Sequence, residues 1–182
     1  AAGGSTFETD IITFQSSLTG GTITLAGTKL AIRDDLEIRG LGADQLIIDA
    51  NNQSRVLYVD IGTWVLIDRL TMTGGSSSNY GGGIDNLGTL TLTNTTVSGN
   101  SASSSGGGIH NYNTGTLTLT NTTVSGNSAS NSGGGIFNTG TLALTNTTVS
   151  GNSASSSGGG IDNRRTLTLT NTTVSGNSAS SS

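Results

Sequence analysis

Residues 81–105 read GGGIDNLGTLTLTNTTVSGNSASSS, and this stretch returns three more times along the chain. The later copies begin at Gly106, Gly133 and Gly158. Three copies have 25 residues and the second has 27, with two extra residues near Tyr112. A fixed period of roughly 20–50 residues is typical of a protein built from stacked repeats. The repeat therefore decides how the rest of the chain is interpreted.

Each copy contains three segments that favour extended backbone. TLTLTN alternates polar and apolar residues, which predicts a strand with Leu90 and Leu92 inward and its threonines outward. TTVSGN and GGGIDN predict two shorter strands, with Val97 and Ile84 inward. The glycines, serines and asparagines between them favour turns. No helical spacing occurs in the repeat, so we expect an all-β fold.

A single copy has too few large apolar side chains to enclose a core, but stacked copies share one. We therefore predict a right-handed single-stranded parallel β-helix, a solenoid with three short strands in each coil of about 25 residues. The right hand follows from the strong preference of parallel crossovers. The predicted inward columns are Leu90, Leu117, Leu142 and Leu167; Ile84, Ile109, Ile136 and Ile161; and Val97, Val124, Val149 and Val174.

Asparagines follow each predicted strand at equivalent positions. An amide side chain has donors and acceptors, so stacked asparagines can bond to one another. Ligand binding is the alternative role, and we favour structural ladders. The three predicted ladders are Asn86, Asn111, Asn138 and Asn163; Asn94, Asn121, Asn146 and Asn171; and Asn100, Asn127, Asn152 and Asn177.

The pattern GGGI.N.GTLTLTNTTVSGN resembles the right-handed parallel β-helix repeats of bacterial extracellular and surface proteins. These are similar to the pectate-lyase-like superfamily and to the passenger regions of adhesins. The resemblance covers residues 20–182 and is strongest over 81–182. It implies the fold, but such repeats occur in enzymes, adhesins and structural proteins alike.

Three divisions of one continuous domain are expected. Residues 1–19 are predicted to form an N-terminal cap, in which Phe7 and Phe14 cover the core. Residues 20–80 are predicted to form degenerate β-helix coils, and residues 81–182 four regular repeats. The chain stops at the end of a repeat, and an uncovered last coil leads us to expect end-to-end association with another copy into filaments.

Composition limits the classes of function. The net charge is −4, only 10% of residues are charged, and cysteine and proline are absent. We expect no cofactor, no thiolate metal site, no nucleic-acid partner and no membrane span. An extracellular or cell-surface location is expected.

One outward position differs between the copies and carries ionisable residues. Asp85, His110, Phe137 and Asp162 occupy it in successive coils, so Asp85 and His110 are expected to be neighbours. We interpret them as a surface pair rather than an acid–base pair, and we predict no catalytic, cofactor-binding or metal-binding residue. A polysaccharide lyase or hydrolase is the second alternative function, and it would depend on this pair.

The outward threonines form a predicted grid with about 4.8 Å between coils. Such grids resemble the ice-binding faces of solenoid antifreeze proteins, which makes ice binding the first alternative function. The grid comprises Thr89, Thr91, Thr93, Thr116, Thr118, Thr120, Thr141, Thr145, Thr166, Thr168 and Thr170.

The leading hypothesis is a secreted, non-enzymatic β-solenoid that serves as an extracellular structural or adhesive module. Its expected partners are other copies of itself or a cell-surface or matrix polysaccharide. The basis is a nearly identical, sparsely charged repeat.

Overall fold

The computed structural model describes residues 9–181, which form a parallel β-solenoid of about seven coils. Every strand pairs in parallel with the equivalent strand of an adjacent coil, and the three main strands of a turn belong to three separate sheets. The predicted fold class is confirmed. Stacking in this way satisfies the backbone of each coil through its neighbours, because no coil pairs with itself.

We name the sheets after the side chains that their regular strands carry. The leucine sheet has seven strands: Asp10–Thr13, Leu36–Arg39, Trp64–Asp68, Thr89–Thr93, Thr116–Thr120, Thr141–Thr145 and Thr166–Thr170. The valine sheet also has seven: Gly21–Thr24, Leu46–Asp49, Thr71–Thr73, Thr96–Ser98, Thr123–Ser125, Thr148–Ser150 and Thr173–Ser175. The isoleucine sheet has six: Leu30–Ile32, Leu57–Val59, Ile84–Asn86, Ile109–Asn111, Ile136–Asn138 and Ile161–Asn163.

A fourth sheet was not expected from the sequence. It consists of two-residue strands: Ser76–Ser77, Ser101–Ala102, Ser128–Ala129, Ser153–Ala154 and Ser178–Ala179. The composition of the serine-rich segment predicts turns, yet Ala102 and Ala129 are buried. A small apolar residue between serines gives little periodic signal, and the pairing arises only when coils are stacked.

The register places identical residues over one another. Leu90 pairs with Leu117, and Leu117 with Leu142, while Val97 pairs with Val124. The inward leucines, isoleucines and valines of coils three to six are almost fully buried and form one continuous core. The same alternation holds in the less regular coils, where Ile67 and Met72 fill equivalent positions.

The ends of the described solenoid are less well covered. In the first coil, Ile11 and Ile12 are about half exposed although Asp10–Thr13 pairs with Leu36–Arg39. Phe14 packs against the core, whereas Phe7, its predicted partner in the cap, lies outside the described residues. In the last coil, Leu169 is 47% exposed and Val174 is 49% exposed. The cap, coil and repeat boundaries remain predictions.

The glycine triplet before each isoleucine strand forms a corner where two coils come very close. Gly106 has a positive φ of 72°, and a side chain on Gly107 would overlap the backbone oxygen of Ser128. Such close backbone approach requires glycine. The triplet therefore has a structural role in the close packing of adjacent coils and does not resemble a phosphate-binding loop.

Candidate functional site

The outer face of the isoleucine sheet carries a single column of unlike side chains. Tyr58 pairs with Asp85, Asp85 with His110, His110 with Phe137, and Phe137 with Asp162. The first four are flanked in their strands by buried residues and therefore point away from the core, and Asp162 continues the column in register. The parallel register brings together four side chains that the sequence assigned to one position in separate copies.

Asp85 lies at the centre of a covered ionic network. One carboxylate oxygen is 2.8 Å from Nδ1 of His110, and the other is 3.3 Å from Nη1 of Arg55. The Arg55 guanidinium also donates to the carbonyl oxygen of Tyr80 at 2.8 Å and to Oγ of Ser77 at 3.0 Å. The side chains of Arg55, Asp85 and His110 are only 17%, 14% and 7% exposed. The expected pair of neighbours forms, but it is enclosed rather than superficial.

Aromatic rings cover His110 and the network around it. The Tyr80 ring stacks on His110 at 4.9 Å between ring centres and lies 6.0 Å from Phe137. His110 itself stacks on Phe137 at 5.6 Å, and Tyr112 meets it edge-on at 5.8 Å. The Arg164 guanidinium lies 4.7 Å above the Phe137 ring, a favourable cation–π arrangement.

This geometry indicates a structural rather than a catalytic histidine. His110 stacks on both Tyr80 and Phe137, and Nδ1 is engaged by Asp85. A general acid or base must reach the proton that it transfers, either directly or through one water. His110 is too well covered for a substrate to approach it unless Tyr80 moves. Asp85 is likewise engaged, by the Arg55 guanidinium and by Nδ1 of His110.

Tyr58 is the first residue of the column, and the pKa of its phenol is raised. Burial raises the pKa of its phenol above the usual value, and the nearby carboxylates of Asp60 and Asp85 raise it further. The Lys29 ammonium lies 5.4 Å from the centre of the Tyr58 ring. Tyr58 is therefore an uncharged, half-buried support for the network rather than a nucleophile.

The sequence did not reveal how Arg55, Tyr80, Tyr112 and Arg164 gather around this column. Tyr80 is the last residue of the predicted degenerate coils, and Arg55 lies 30 residues before Asp85 in an irregular coil. One signal was available. Tyr112 and Arg164 both follow the isoleucine strand directly, at the position where the four copies differ most.

Two of the three asparagine columns are hydrogen-bonded ladders inside the solenoid. Nδ2 of Asn86 donates to Oδ1 of Asn111 at 2.7 Å, and the same bond continues through Asn138 to Asn163. The second ladder links Asn100, Asn127, Asn152 and Asn177 in the same manner, at 2.9–3.0 Å. At the lower end of the first ladder, the register partner of Asn86 is Val59, and Oδ1 of Asn86 has no hydrogen-bond partner.

The third asparagine column lies on an exposed corner. Asn94, Asn121, Asn146 and Asn171 all have left-handed backbone with φ near 50°. Asn tolerates this conformation better than most residues. The amides of Asn121 and Asn146 each donate to the preceding asparagine at 3.2 Å, and no such bond connects Asn171 to Asn146 within residues 9–181. This column shapes a turn between the leucine and valine sheets.

The predicted threonine grid lies on the outer face of the leucine sheet. Thr91 pairs with Thr118, Thr118 with Ala143, and Ala143 with Thr168, so the central column has one gap. The two flanking columns are threonine throughout the four regular coils: Thr89, Thr116, Thr141 and Thr166, and Thr93, Thr120, Thr145 and Thr170. The preceding strand breaks the grid with Trp64, Leu66 and Asp68.

Three segments of the chain match the model of one protein family, described as the Chlamydia polymorphic membrane protein repeat. They are residues 94–112, 121–139 and 146–164. Each segment begins at the exposed corner asparagine and includes the valine strand, the serine–alanine strand, the glycine corner and the isoleucine strand. Each also ends just past the outward column position.

The chain is a parallel β-helix repeat protein. The matched segments of this β-helix protein total 57 of its 182 residues, so its likeness to the Chlamydia repeat is limited to that part of three coils. No curated protein and no solved structure matches the chain. Within residues 9–181, no helix is long and apolar enough to cross a bilayer, and no group of three or more His, Asp or Glu side chains is placed to bind a metal ion.

Proposed function

We propose that this β-helix protein is a non-enzymatic adhesive module displayed at a cell surface. The observation that supports this most is the match of three segments to a repeat named for membrane proteins of Chlamydia. Those segments fold here as stacked coils with a continuous core, so the match concerns a structural unit and not only composition. The resemblance of the repeat to adhesin passenger regions points in the same direction.

The shape and surface of the solenoid suit such a role. Stacked coils give a rigid body whose length grows with the number of repeats. The outer faces of the leucine and valine sheets present threonine and serine hydroxyls in register, with few charges. Neutral hydroxyl surfaces stay hydrated without strong long-range attraction or repulsion, which favours a spacer that carries a binding surface away from the cell.

A bead assay tests the adhesive role. Beads coated with the chain are allowed to settle on cultured-cell monolayers and on plates coated with matrix polysaccharide, and retention under flow is counted against albumin-coated beads. We expect retention well above the albumin beads on at least one surface. Retention equal to albumin on all surfaces would contradict the proposal.

End-to-end association through the exposed strands of the last coil belongs to the same proposal. Electron microscopy at high protein concentration tests it: filaments would support the association, and short particles alone would contradict it.

Ice binding is a second candidate, favoured by the register of the two complete threonine columns. Rows of outward hydroxyls about 4.8 Å apart provide a regular, flat surface. If this surface binds ice, Thr118→Lys should abolish thermal hysteresis because a long charged side chain interrupts the central column. Ser125→Lys, in the same coil but on the valine sheet, should leave hysteresis unchanged. A wild-type chain without hysteresis would eliminate this candidate.

A further inference from the structure

Differences between the four copies are concentrated at one place on the solenoid. The copies agree almost everywhere, but the outward position of the isoleucine strand reads Asp, His, Phe and Asp in turn. The turn that follows it reads LG, YNTG, TG and RR, and it contains the only insertion among the copies. Elsewhere the copies differ only at Ala143 and Asn131. A constant frame therefore presents one changing surface.

The stacked coils bring these changing positions together. We define the variable patch as Tyr80, Tyr112, Phe137, Asp162, Arg164 and Arg165. Tyr80 covers His110 and approaches Phe137, and Arg164 covers Phe137 while Nη2 lies 3.3 Å from Oδ2 of Asp162. Arg165 reaches back two coils to donate to the carbonyl oxygen of Asn113, at 3.1 Å. The arginine thus holds the insertion in coil five against the patch.

The patch has the composition of a protein-binding surface. Tyr80 is 38% exposed, Tyr112 is 43% exposed, and the Arg164 side chain is 56% exposed. Tyr and Arg are the residue types, with Trp, that most often contribute binding energy at protein interfaces. Insertions in repeat proteins commonly lie on the binding face. The enclosed network of Arg55, Asp85 and His110 beneath the rings fixes them in place, which lowers the entropy lost on binding.

The exposed charge of the patch is positive. Arg164 and Arg165 outnumber Asp162, which is only 13% exposed, so the patch carries a net charge of one positive unit in a chain of −4. Opposite potentials across an interface steer association and favour the correct partner. The rings lie on the outer face of a parallel sheet rather than in an enclosed pocket, and extended surfaces of this kind suit a protein segment better than a small ligand.

We propose that the variable patch binds an acidic segment of a partner protein, with Tyr80 and Tyr112 as apolar anchors and Arg164 and Arg165 as partners for its carboxylates. This inference rests on the proposed adhesive role and identifies the surface responsible for it. The hydroxyl faces of the leucine and valine sheets then act as a spacer and take no direct part in recognition.

Selection from a displayed library of short random peptides tests the proposal. The immobilised chain serves as target, and the enriched peptides are then measured against the variant Tyr112→Ser/Arg164→Gln/Arg165→Gln. We expect enriched peptides to be rich in Asp and Glu, to carry at least one large apolar residue, and to bind this variant at least roughly tenfold more weakly than the unchanged chain. A matched control, Arg39→Gln/Arg69→Gln, removes two exposed arginines from other positions and should bind as tightly as the unchanged chain.

Three results would overturn the proposal: peptides that do not distinguish the patch variant, enriched peptides without excess acidic residues, or equal weakening by the matched control. Two further experiments test other occupants. Binding on a glycan array that is lost in the patch variant would assign the patch to a saccharide and overturn the proposed protein partner. Self-association in sedimentation that is lost in the patch variant would assign the patch to a second copy and overturn it likewise. Circular dichroism establishes that each variant is folded. In the bead assay, equal retention of wild-type and patch-variant beads would refute the patch alone, whereas no retention of either would refute the adhesive role.

Discussion

At the scale of single residues, the structure separates asparagines that look alike in the sequence. Asn111 is fully buried, accepts a hydrogen bond from Asn86, and donates to Asn138 and to the carbonyl oxygens of Gly115 and Thr141. Asn121 is exposed on a corner, where it donates to Asn94 and accepts a hydrogen bond from Asn146. A buried polar group costs far more when its partner is removed than an exposed one, because water cannot replace that partner.

Asn111→Ala should therefore lower the free energy of unfolding by about 2–4 kcal/mol, because it removes all four hydrogen bonds of a buried amide, those to Asn86, to Asn138 and to the carbonyl oxygens of Gly115 and Thr141. The control is Asn121→Gly, which removes two exposed ladder bonds and keeps a residue that accepts the left-handed backbone, at a cost below about 1 kcal/mol. Chemical denaturation measures both. Equal costs would show that burial does not distinguish the two columns.

Tyr58 makes the stability of the fold depend on pH. Burial and two carboxylates raise its pKa in the folded state, so folding favours the protonated phenol. The resulting stability is complete below the unfolded pKa of about 10 and is lost as pH rises through the higher folded value. Between about pH 9 and about pH 11, the unchanged chain should lose more stability than Tyr58→Phe, because the variant lacks the phenol whose pKa folding raises. Parallel stability curves over that range would contradict the assignment.

At the scale of strands, alternation decides what is buried, but position along the stack decides how much burial contributes. Leu119 and Leu169 occupy the same place in the leucine sheet, two coils apart. Leu119 is fully buried between coils, whereas Leu169 belongs to the last described coil and is 47% exposed. The same side chain should therefore contribute very different amounts to stability.

Leu119→Ala should cost about 2–5 kcal/mol of stability, because it leaves a cavity between two rigid neighbouring coils. Leu169→Ala, the matched substitution in the same strand position, should cost less than about 1.5 kcal/mol because most of its surface already meets solvent. Thermal and urea unfolding compare the two variants. A similar cost for both would mean that Leu119 is not enclosed as the stack requires.

The strands also show how far the sequence determines this structure. The alternation in TLTLT and the single apolar residues of the valine and isoleucine strands predict three sheets, because strand periodicity is a local property. The serine–alanine strands and the cover of Tyr80 over His110 were not predictable. Both depend on contacts between residues roughly one coil apart, and the local pattern of SASSS or SSSNY gives no sign of them.

At the scale of the whole molecule, about seven coils are stacked in parallel register. Each coil contributes little alone, but adjacent coils share a core and parallel sheets, and the regular repeats also share two asparagine ladders. The regular coils repeat the same stacking contacts. Sequence differences between the copies are therefore tolerated where side chains take no part in those contacts, at the outward column of the isoleucine sheet and in the turn beside it. The proposed recognition surface consists of these variable outward residues, held by a constant stack of coils.

The most direct test of the stack is a distance between spin labels at Glu37 and Thr168. These outward positions are connected by successive register pairs through Leu66, Thr91, Thr118 and Ala143, which makes five steps along the axis. Electron paramagnetic resonance should give a single narrow distribution with a backbone separation of about 24 Å, before allowance for the label arms. A broad distribution, or a separation far from this value, would contradict parallel stacking in register.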